Sequence, residues 1–508
     1  MEQLSHTLDN IRRTVNGRTQ RSERSDIGQF LTPGAIACFL ASLFAPNRMD
    51  HVRILDAGAG AGVLFSALVE TLISLVSEGR RPLSIEVVAY ENDGGILPEL
   101  AQTMARCEAV CGEAGVAFHG ETRVDDFVAA AIAQTEEGLF AGPGENFTHA
   151  ILNPPYKKIN GDSATRKRMD AAGMEVSNLY AAFVWLAARM LLPEGELVAI
   201  TPRSFCNGPY FRQFRLSFLE MMSLRRIHLF ESRKKAFGDD DVLQENVIYH
   251  AVREEKSPER ISVSSSEGLD FDSASIRSIP YDQVIRPKDR DAFIHLVMNP
   301  ADDRIVERMR RFTATLPDLG LEVSTGRVVD FRAREHLRAQ PEEGTAPLVY
   351  PCHFQDGFVN WPAPSGKKAN AIALSSQTQD LLLAAGYYVL TKRFSSKEER
   401  RRVVAALFDP HRIASPLVGF ENHLNYFHTK GNGMSEQLAK GLALYLNSSL
   451  FDCHFRLFSG HTQVNATDLR KMTYPSSDQL IKLGHHVQDR MPDQETIDKI
   501  LDMECEQP

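Results

Sequence analysis

An asparagine, two prolines and a tyrosine end an apolar run near the middle of the first half of the chain. The stretch THAILNPPYKK reads as a buried strand that stops at Asn153, Pro154, Pro155 and Tyr156. Because proline has no N–H donor, this corner leaves carbonyl acceptors beside the Asn153 side-chain oxygen. The Asn153 oxygen and the Pro154 carbonyl could hold both hydrogens of a planar amine and turn its lone pair toward a methyl donor, while Tyr156 stacks on the ring. The alternative is a strand-ending turn with a packed tyrosine.

A glycine-rich turn precedes this corner. The segment ILDAGAGAGVLF places Asp56 at a strand end and Gly58, Gly60 and Gly62 in the turn that leads into a helix. Glycine permits a tight turn and lets a ligand approach the backbone. A dinucleotide fingerprint needs a further glycine at Val63, so this spacing favours S-adenosylmethionine over a pyrophosphate cofactor. A turn that binds nothing is the alternative.

Two further acids follow predicted strands. Glu91, in AYEND, could accept hydrogen bonds from both ribose hydroxyls of a nucleoside cofactor, because an ionised carboxylate only accepts. Asp126 could accept from an adenine amino group, with the Phe127 ring covering the adenine face. Each acid alone is more often a solvated surface charge. Their recurrence after successive strands favours a cofactor site.

Strand and helix patterns alternate between about residue 50 and residue 255. Strands are predicted at 53–58, 85–91, 148–153, 195–202, 224–230 and 246–252, and helices at 63–79, 96–114 and 176–192. A further helix is predicted at 32–44, with Thr32 as its N-cap and Pro33 at its first position. Alternation of this kind predicts an α/β fold with a mainly parallel sheet that is covered by helices on both faces.

The order of these motifs resembles that of the γ-class N6-adenine DNA methyltransferases, the TaqI-methylase type. The resemblance covers residues 26–252 and rests on GQFLTP, LDAGAGAG, AYEND, DDF, NPPY, NLYAAF and GELVAITP. It implies a Rossmann-like S-adenosylmethionine-dependent domain that methylates a flipped-out adenine in double-stranded DNA. It also implies that Thr32 contacts the methionine part of the cofactor and that Phe237 clamps the flipped base opposite Tyr156.

The second half of the chain carries basic and polar segments. The run TKRFSSKEERRRV predicts contacts to DNA phosphates from six side chains: Lys392, Arg393, Lys397, Arg400, Arg401 and Arg402. A solvated helix with Glu398 and Glu399 is the alternative. This run and SGHTQVNATDLR resemble the target-recognition half of restriction-modification methylases. The run is similar to the BsuBI/PstI-type subgroup, which implies adenine methylation in CTGCAG.

Composition limits the class of protein. The 508 residues carry a net charge of −9, with 43% hydrophobic and 24% charged residues, as in soluble globular proteins. The negative total argues against a nucleic-acid partner, but residues 281–475 have an excess of basic side chains, and phosphate binding needs only local positive charge. Seven scattered cysteines fit reduced thiols, and Cys107 with Cys111 is more consistent with core packing than with a metal site. We expect no metal.

Five segments are predicted. They are an N-terminal polar segment (1–25), a methyltransferase domain (26–255), a linker (256–290), an α+β target-recognition domain (291–475) and a solvated acidic tail (476–508). The first thirty residues lack a signal peptide's apolar core, so a cytoplasmic protein without membrane contact is expected. We also expect a monomer. The resemblance implies a cognate restriction endonuclease as its genetic partner. The rival is an N-methyltransferase acting on RNA or on a protein glutamine. A bifunctional restriction–methylation protein and an inactive binding module fit the motifs less well.

Overall fold

The computed structural model describes most of the chain in two compact units. The described residues are 32–45, 49–74, 82–136, 146–230, 246–254, 256–287, 289–296, 300–363, 368–395, 399–458 and 463–505. The first unit is Met1–Met298 and the second is Asn299–Pro508. Among the described helices, none has the length and apolar character needed to cross a bilayer.

A nine-stranded sheet forms the centre of the first unit. Its strands are β1 His51–Ala57, β2 Ser84–Tyr90, β3 Ala117–Arg123, β4 Phe147–Leu152, β5 Leu191–Pro202, β6 Met222–Phe230, β7 Asn246–Arg253, β8 Arg260–Ser266 and β9 Ser275–Pro280. The strand order is β3-β2-β1-β4-β5-β7-β6-β8-β9. Strands β1 to β5 are parallel, and β7 is inserted antiparallel to both β5 and β6. The sheet is therefore mainly parallel at the end that carries the predicted motifs.

The chain reverses its winding direction between β1 and β4. Strands β2 and β3 extend to one side of β1, and β4 and β5 lie on the other. At such a reversal a crevice opens beyond the carboxyl ends of the strands. The end of β6 at Phe230 and the start of β7 at Asn246 lie at this same edge, because β6 runs in the direction of β5.

Helices cover both faces of the sheet. They are α1 Gly34–Ser42, α2 Val63–Ser74, α3 Leu97–Glu113, α4 Phe127–Glu136, α5 Ala164–Ala171, α6 Leu179–Met190, α7 Arg212–Met221 and α8 Tyr281–Val284. Ile54 and Val87 belong to the core cluster with α1, α2 and α3, whereas their neighbours Leu55 and Val88 belong to the cluster with α4, α6 and α7. Alternate residues of one strand thus enter opposite cores, which explains why both strands have consecutive apolar residues at their centres.

The predicted α/β fold is confirmed, with differences at three places. Strand β3 was not predicted, because its alternately exposed edge sequence, AFHGETR, lacks an apolar run. The prediction of a linker at 256–290 is wrong, since β8 and β9 extend the sheet there, and Ile261 and Val263 are fully buried. Helix α1 begins after Pro33 and has no side-chain cap, so the N-cap prediction for Thr32 is also wrong.

The second unit contains two sheets and a group of helices. Its strands are β10 Glu322–Thr325, β11 Leu337–Arg338, β12 Thr345–Val349, β13 Phe354–Gln355, β14 Phe358–Val359, β15 Ala371–Ala373, β16 Leu382–Ala384, β17 Tyr388–Lys392, β18 Ala405–Phe408, β19 Leu417–Phe420 and β20 Leu424–His428. One sheet has the order β10-β20-β17-β18-β14-β13 and the other β11-β15-β12-β19-β16. The helices are α9 Pro300–Met309, α10 Glu436–Leu446, α11 Ser449–Phe458, α12 Ala466–Arg470, α13 Ser477–His485 and α14 Gln494–Cys505. This unit is α+β, as predicted.

The prediction of a solvated C-terminal tail is wrong. Helices α13 and α14 pack into the core of the second unit, where Leu480 and Leu501 are buried. The backbones of α10 and α13 meet at Gly441 and Gly484, where an added Cβ would collide with a carbonyl oxygen of the facing helix. Asp478, Glu495 and Asp502 are exposed on helices whose other faces are buried, so net charge concealed the apolar stripe.

Candidate active site

A cavity of about 320 Å³ opens at the carboxyl ends of β1, β2 and β4. Seven of the predicted site residues line it: Thr32, Gly58, Gly60, Glu91, Asp126, Phe127 and Asn153. Three others, Asp56, Pro154 and Tyr156, are close in sequence to lining residues but are not part of the lining themselves. The predicted residues come from segments far apart in sequence, and the order of the strands brings them to one place.

The glycine turn forms the floor of the cavity. Gly58, Gly60 and Gly62 have φ values of 78°, 57° and 80°, in the left-handed region that residues with a Cβ rarely adopt. The N–H groups of Gly58 and Ala59 both donate to the Tyr90 carbonyl at 2.9 Å, which fixes the turn against the end of β2. A Cβ on Gly58 would lie 3.6 Å from the ring of Phe183, which also lines the cavity.

Glu91 connects the turn to the end of β2. Its Oε2 accepts from the Gly60 N–H at 2.8 Å, and its Oε1 accepts from the Asp93 N–H at 2.8 Å. The side chain is 6% exposed, and this burial raises the pKa of its carboxyl group, while the backbone donors lower it. Each oxygen keeps a second lone pair, so Glu91 can still accept from a bound molecule.

Asp126 and Phe127 form the wall next to β3. Asp126 is exposed, its Oδ1 accepts from the Val128 N–H at 3.0 Å at the start of α4, and its Oδ2 lies 3.6 Å from Arg168. The Phe127 ring is 2% exposed and packs between Tyr90 and Phe183, with ring centroids 5.1 Å and 5.0 Å away. An apolar face and an adjacent acceptor therefore stand side by side.

Asp56 lies under the turn and does not line the cavity. It is fully buried, and its Oδ2 accepts from the Phe65 N–H in the first turn of α2 at 3.3 Å. Burial raises the pKa of Asp56 from 3.8 to about 8, against the opposing effect of this hydrogen bond. Its position indicates that Asp56 holds the start of α2 behind the glycines.

Asn153 stands between Thr32 and Tyr156. Its Nδ2 donates to the Thr32 hydroxyl at 2.9 Å, and its Oδ1 accepts from the Tyr156 hydroxyl at 3.1 Å. The Tyr156 hydroxyl also lies 3.4 Å from the Ile200 carbonyl of β5. Asn153 follows directly after buried β4, so the end of the strand and these two partners fix its amide group.

Several residues of the site were not predicted. Phe183 and Leu179 of α6 and Lys157 after the proline corner also line the cavity. Tyr180 lies edge-on to Tyr156 at 6.3 Å, and burial raises the pKa of both hydroxyls. The signal for Phe183 and Tyr180 was present, because both belong to the NLYAAF motif.

The six basic residues predicted to contact phosphates have different environments. Arg402 is fully buried and bonds the backbone and hydroxyl of Ser395, and Arg401 bonds Gln494 and the Ser448 carbonyl. A phosphate role for Arg401 and Arg402 is therefore wrong, because both groups hold segments of the second unit together. The described residues 399–404 form no helix either.

The other candidates in this run remain possible nucleic-acid contacts. Arg400 is exposed, and Lys392 and Arg393 are half-buried. Lys397 and the predicted clamp Phe237 lie outside the described residues.

The thiols of Cys107 and Cys111 are buried in the core beside α2, and this burial raises the pKa of Cys107 to about 12 and that of Cys111 to about 11.

Comparison with known proteins identifies the family. Residues 120–237 match the Eco57I restriction-modification methylase family. The chain is 44% identical to the type II methyltransferase M.BsuBI of Bacillus subtilis over 96% of this chain and 95% of that protein. It is 40% identical to M.PstI of Providencia stuartii over 98% of this chain and 96% of that protein. The solved structure of the type IIL restriction-modification enzyme MmeI shares the fold, with a TM-score of 0.54 and 11% identity over 90% of this chain and 70% of that one. The chain belongs to the type II restriction-modification methyltransferases, the family that includes M.BsuBI and M.PstI.

Proposed function

We propose that this methyltransferase transfers a methyl group from S-adenosylmethionine to N6 of an adenine that is turned out of double-stranded DNA. The observation that carries the proposal is the position of Asn153, held between Thr32 and Tyr156 at the edge of the cavity. The enzyme would act as the modification partner of a cognate restriction endonuclease.

The residues of the cavity fit the cofactor. Its ribose and adenine present hydroxyl and amino donors, and the cavity offers the acceptor oxygens of Glu91 and Asp126 beside the Phe127 ring. Thr32 would meet the methionine part. The volume of about 320 Å³ lies in the range of small-molecule sites. When bound, S-adenosylmethionine supplies an electrophilic methyl group.

The chain's own residues would prepare the nucleophile. The Thr32 hydroxyl accepts a hydrogen bond from Asn153 Nδ2, so the Asn153 Oδ1 points away from Thr32 and toward Tyr156. A carbonyl oxygen has two lone pairs, so Asn153 Oδ1 can also accept from the adenine amine, and the Pro154 carbonyl accepts the second amine hydrogen. Both acceptors stabilise the positive charge that develops on the nitrogen. Tyr156 would stack on the base. Its hydroxyl could donate to the Ile200 carbonyl in place of Asn153 Oδ1.

A flipped base requires that the rest of the duplex be held, and the second unit supplies candidate groups. Lys392, Arg393 and Arg400 are accessible cations there, and we propose that they contact phosphates. Lys397 and Phe237 keep the roles suggested by the sequence, on phosphate and on the flipped base. We further propose CTGCAG as the site, which the similarity to M.BsuBI and M.PstI across both units supports.

The direct experiment sequences DNA from a host that expresses the protein, with detection of N6-methyladenine. We expect methylation at one short sequence, absent with Asn153→Ala, while the variant binds S-adenosylmethionine as the wild type does. Transfer by the variant at the wild-type rate would refute the role of Asn153. Methylation of RNA or of a protein glutamine, with unmodified DNA, would replace the proposed acceptor.

A further inference from the structure

The strands of the second unit bring a group of polar segments to one edge. Lys392 at the end of β17 pairs with Leu424 at the start of β20, and Val349 at the end of β12 pairs with Phe420 at the end of β19. The turn 421–423 joins β19 of one sheet to β20 of the other. Gly326 approaches this turn so closely that a Cβ would collide with the Glu421 carbonyl oxygen. The turn is therefore held from both sheets.

We name this edge the basic-aromatic face. Its members share a cationic or aromatic side chain that is half-buried or exposed: Lys368, Lys392, Arg393, Phe394 and His423. Two acids contact members of this face: the half-buried Asp330 pairs with Lys368, and the fully buried Glu421 bonds His423.

His423 is held by two contacts from one side chain, that of Glu421. Glu421, whose side chain is 0% exposed, bonds His423 Nδ1 through Oε1 and the His423 N–H through Oε2, the latter at 2.9 Å. The carboxylate favours a proton on Nδ1, so that Nε2 is the nitrogen left to face a partner. The ring is nevertheless 46% exposed. A fully buried carboxyl group with both oxygens on one residue fixes the orientation of this exposed imidazole.

Phe394 and Arg393 extend the face beside His423. The Phe394 ring centroid lies 4.9 Å from that of His423, and the Phe394 side chain is 48% exposed. The Arg393 guanidinium lies 5.8 Å from the Phe394 centroid and donates to the Asn422 carbonyl at 3.2 Å. The Arg393 N–H donates to the His423 carbonyl at 2.8 Å. An exposed aromatic ring thus stands between an imidazole and a guanidinium.

Two lysines place further positive charge on the same face. Lys368 Nζ lies 2.6 Å from Asp330 and 5.0 Å from the Tyr350 ring centroid, and Lys392 Nζ lies 5.9 Å from that of Phe354. Tyr350 and Phe354 flank the same short turn, Pro351–His353, so the two lysines lie beside one segment. In protein–DNA complexes, cationic side chains contact the phosphates, and fixed polar groups contact the base edges between them. This face carries both kinds of group.

We propose that the basic-aromatic face contacts the target duplex and that His423 reads the edge of one base pair. Phe394 packs against the neighbouring base or sugar, Lys368 and Lys392 contact phosphates, and Glu421 acts as a positioning residue through His423. Base reading needs one fixed donor or acceptor, which the Glu421 contact provides, whereas phosphate contacts do not. This inference rests on the proposed function, since it takes duplex DNA as the partner.

A binding selection tests the face without requiring methyl transfer. The full-length protein is mixed with a pool of random duplex DNA, and the retained DNA is sequenced. His423→Ala should lose preference at one base pair and bind the wild-type site roughly tenfold more weakly or worse. Glu421→Gln should lower preference at that same base pair, and Lys392→Ala should weaken binding to all sequences and reduce its salt dependence. The matched control is His486→Ala, which breaks another histidine–glutamate contact of the second unit, the 2.9 Å bond to Glu504.

The outcomes separate this inference from the proposed function. If DNA binds selectively through His423 but is not methylated, the catalytic proposal fails and the face stands. If the wild type methylates DNA while His423→Ala and Phe394→Ala select the same sequences as His486→Ala, the face is refuted alone. Dependence on these residues for binding an RNA or a protein, with no duplex selected, would also overturn it.

Discussion

The Asn153 side chain donates a hydrogen bond of 2.9 Å to the Thr32 hydroxyl, across 121 positions of the sequence. Thr32 precedes the whole sheet, yet it determines which way the amide at the end of β4 is turned. The prediction that Thr32 belongs to the site therefore gains a specific physical basis, and the same bond is open to test.

Replacing Thr32 by valine removes the acceptor of the Asn153 Nδ2–H and keeps the side-chain shape. We expect the rate of methyl transfer to fall roughly tenfold, because a lost hydrogen bond costs about 0.5–1.5 kcal/mol and the half-buried Asn153 amide can then rotate. Thr32→Ser keeps the hydroxyl and should remain near the wild-type rate. Single-turnover methylation measures both, and equal rates for the valine and serine variants would contradict the contact.

Substitutions at Tyr156 separate its hydroxyl from its ring. Tyr156→Phe loses the bond to Asn153 but keeps a stacking surface, so transfer should slow only a few-fold. Tyr156→Ala should slow it roughly tenfold to a hundredfold, since stacking on a base contributes about 1–3 kcal/mol. The single-turnover rate and the fluorescence of 2-aminopurine at the target position give independent readouts. If both variants behave alike, the ring does not stack on the base.

Asp56 should make stability depend on pH. Its folded-state pKa of about 8 lies above the value of 3.8 expected when unfolded, so between these values the folded chain holds a proton that the unfolded chain has lost. The free energy of unfolding therefore falls as pH rises through this window, by at most about 1.4 kcal/mol per unit. Asp56→Asn has no proton to lose, so the difference between its thermal midpoint and that of the wild type should shift in favour of the variant as pH rises from about 4 to about 8. The exposed Asp272→Asn should track the wild type, and a constant offset for Asp56→Asn would count against the raised pKa.

Arg400 and Arg402 should respond in opposite ways. Arg402→Met removes bonds from a buried guanidinium to Ser395 and should destabilise the protein by at least about 2 kcal/mol. Arg400→Ala should change stability by less than about 0.5 kcal/mol but lower the salt slope of DNA binding by about one. Denaturant unfolding and binding titrations at several salt concentrations measure the two effects. A stable Arg402→Met protein with a reduced salt slope would restore the original phosphate role.

The contact between α10 and α13 can be tested through its glycines. Gly484→Ala places a methyl group against the Gln437 carbonyl and should destabilise the protein by about 1–3 kcal/mol. Gly112→Ala, in α3 with nothing within 4 Å of its Cβ, is the control and should be neutral or slightly stabilising. Chemical denaturation gives both values. If Gly484→Ala matches the control, the C-terminal helices do not pack as described.

Much of the first unit was accessible from sequence because its central strands are buried on both faces. Strands β1, β2, β4, β5, β6 and β7 are rich in apolar residues, and the predicted ranges agree with them within a few residues. The outer strands gave a weaker signal: edge strand β3 is half exposed, and the serines of β8, next to edge strand β9, are typical of a linker. Glycine spacing and acids after strands located the cavity and four residues of its lining: Gly58, Gly60, Glu91 and Asp126. Tyr180 and Phe183 of α6 belong to the NLYAAF motif, but the motif does not distinguish side chains that line a site from those that pack in the core.

Charge was the least reliable guide. The arginine run suggested a uniform phosphate surface, but Arg401 and Arg402 turn inward to groups that are distant in sequence, and no local pattern distinguishes them from Arg400. The acidic C-terminal segment gave the converse error. His423 was overlooked since its significance depends on buried Glu421, a tertiary relationship that spacing alone cannot give.

The antiparallel insertion of β7 has a consequence for how the enzyme can diversify. Phe230 and Asn246, the residues on either side of 231–245, both lie at the sheet edge that carries Asn153, and the register of Leu229 with Val247 fixes them there. Backbone pairing within the sheet, and not the sequence of 231–245, therefore sets the positions of Phe230 and Asn246. Sequence change in that segment would leave the pairing of β5, β6 and β7 as it is.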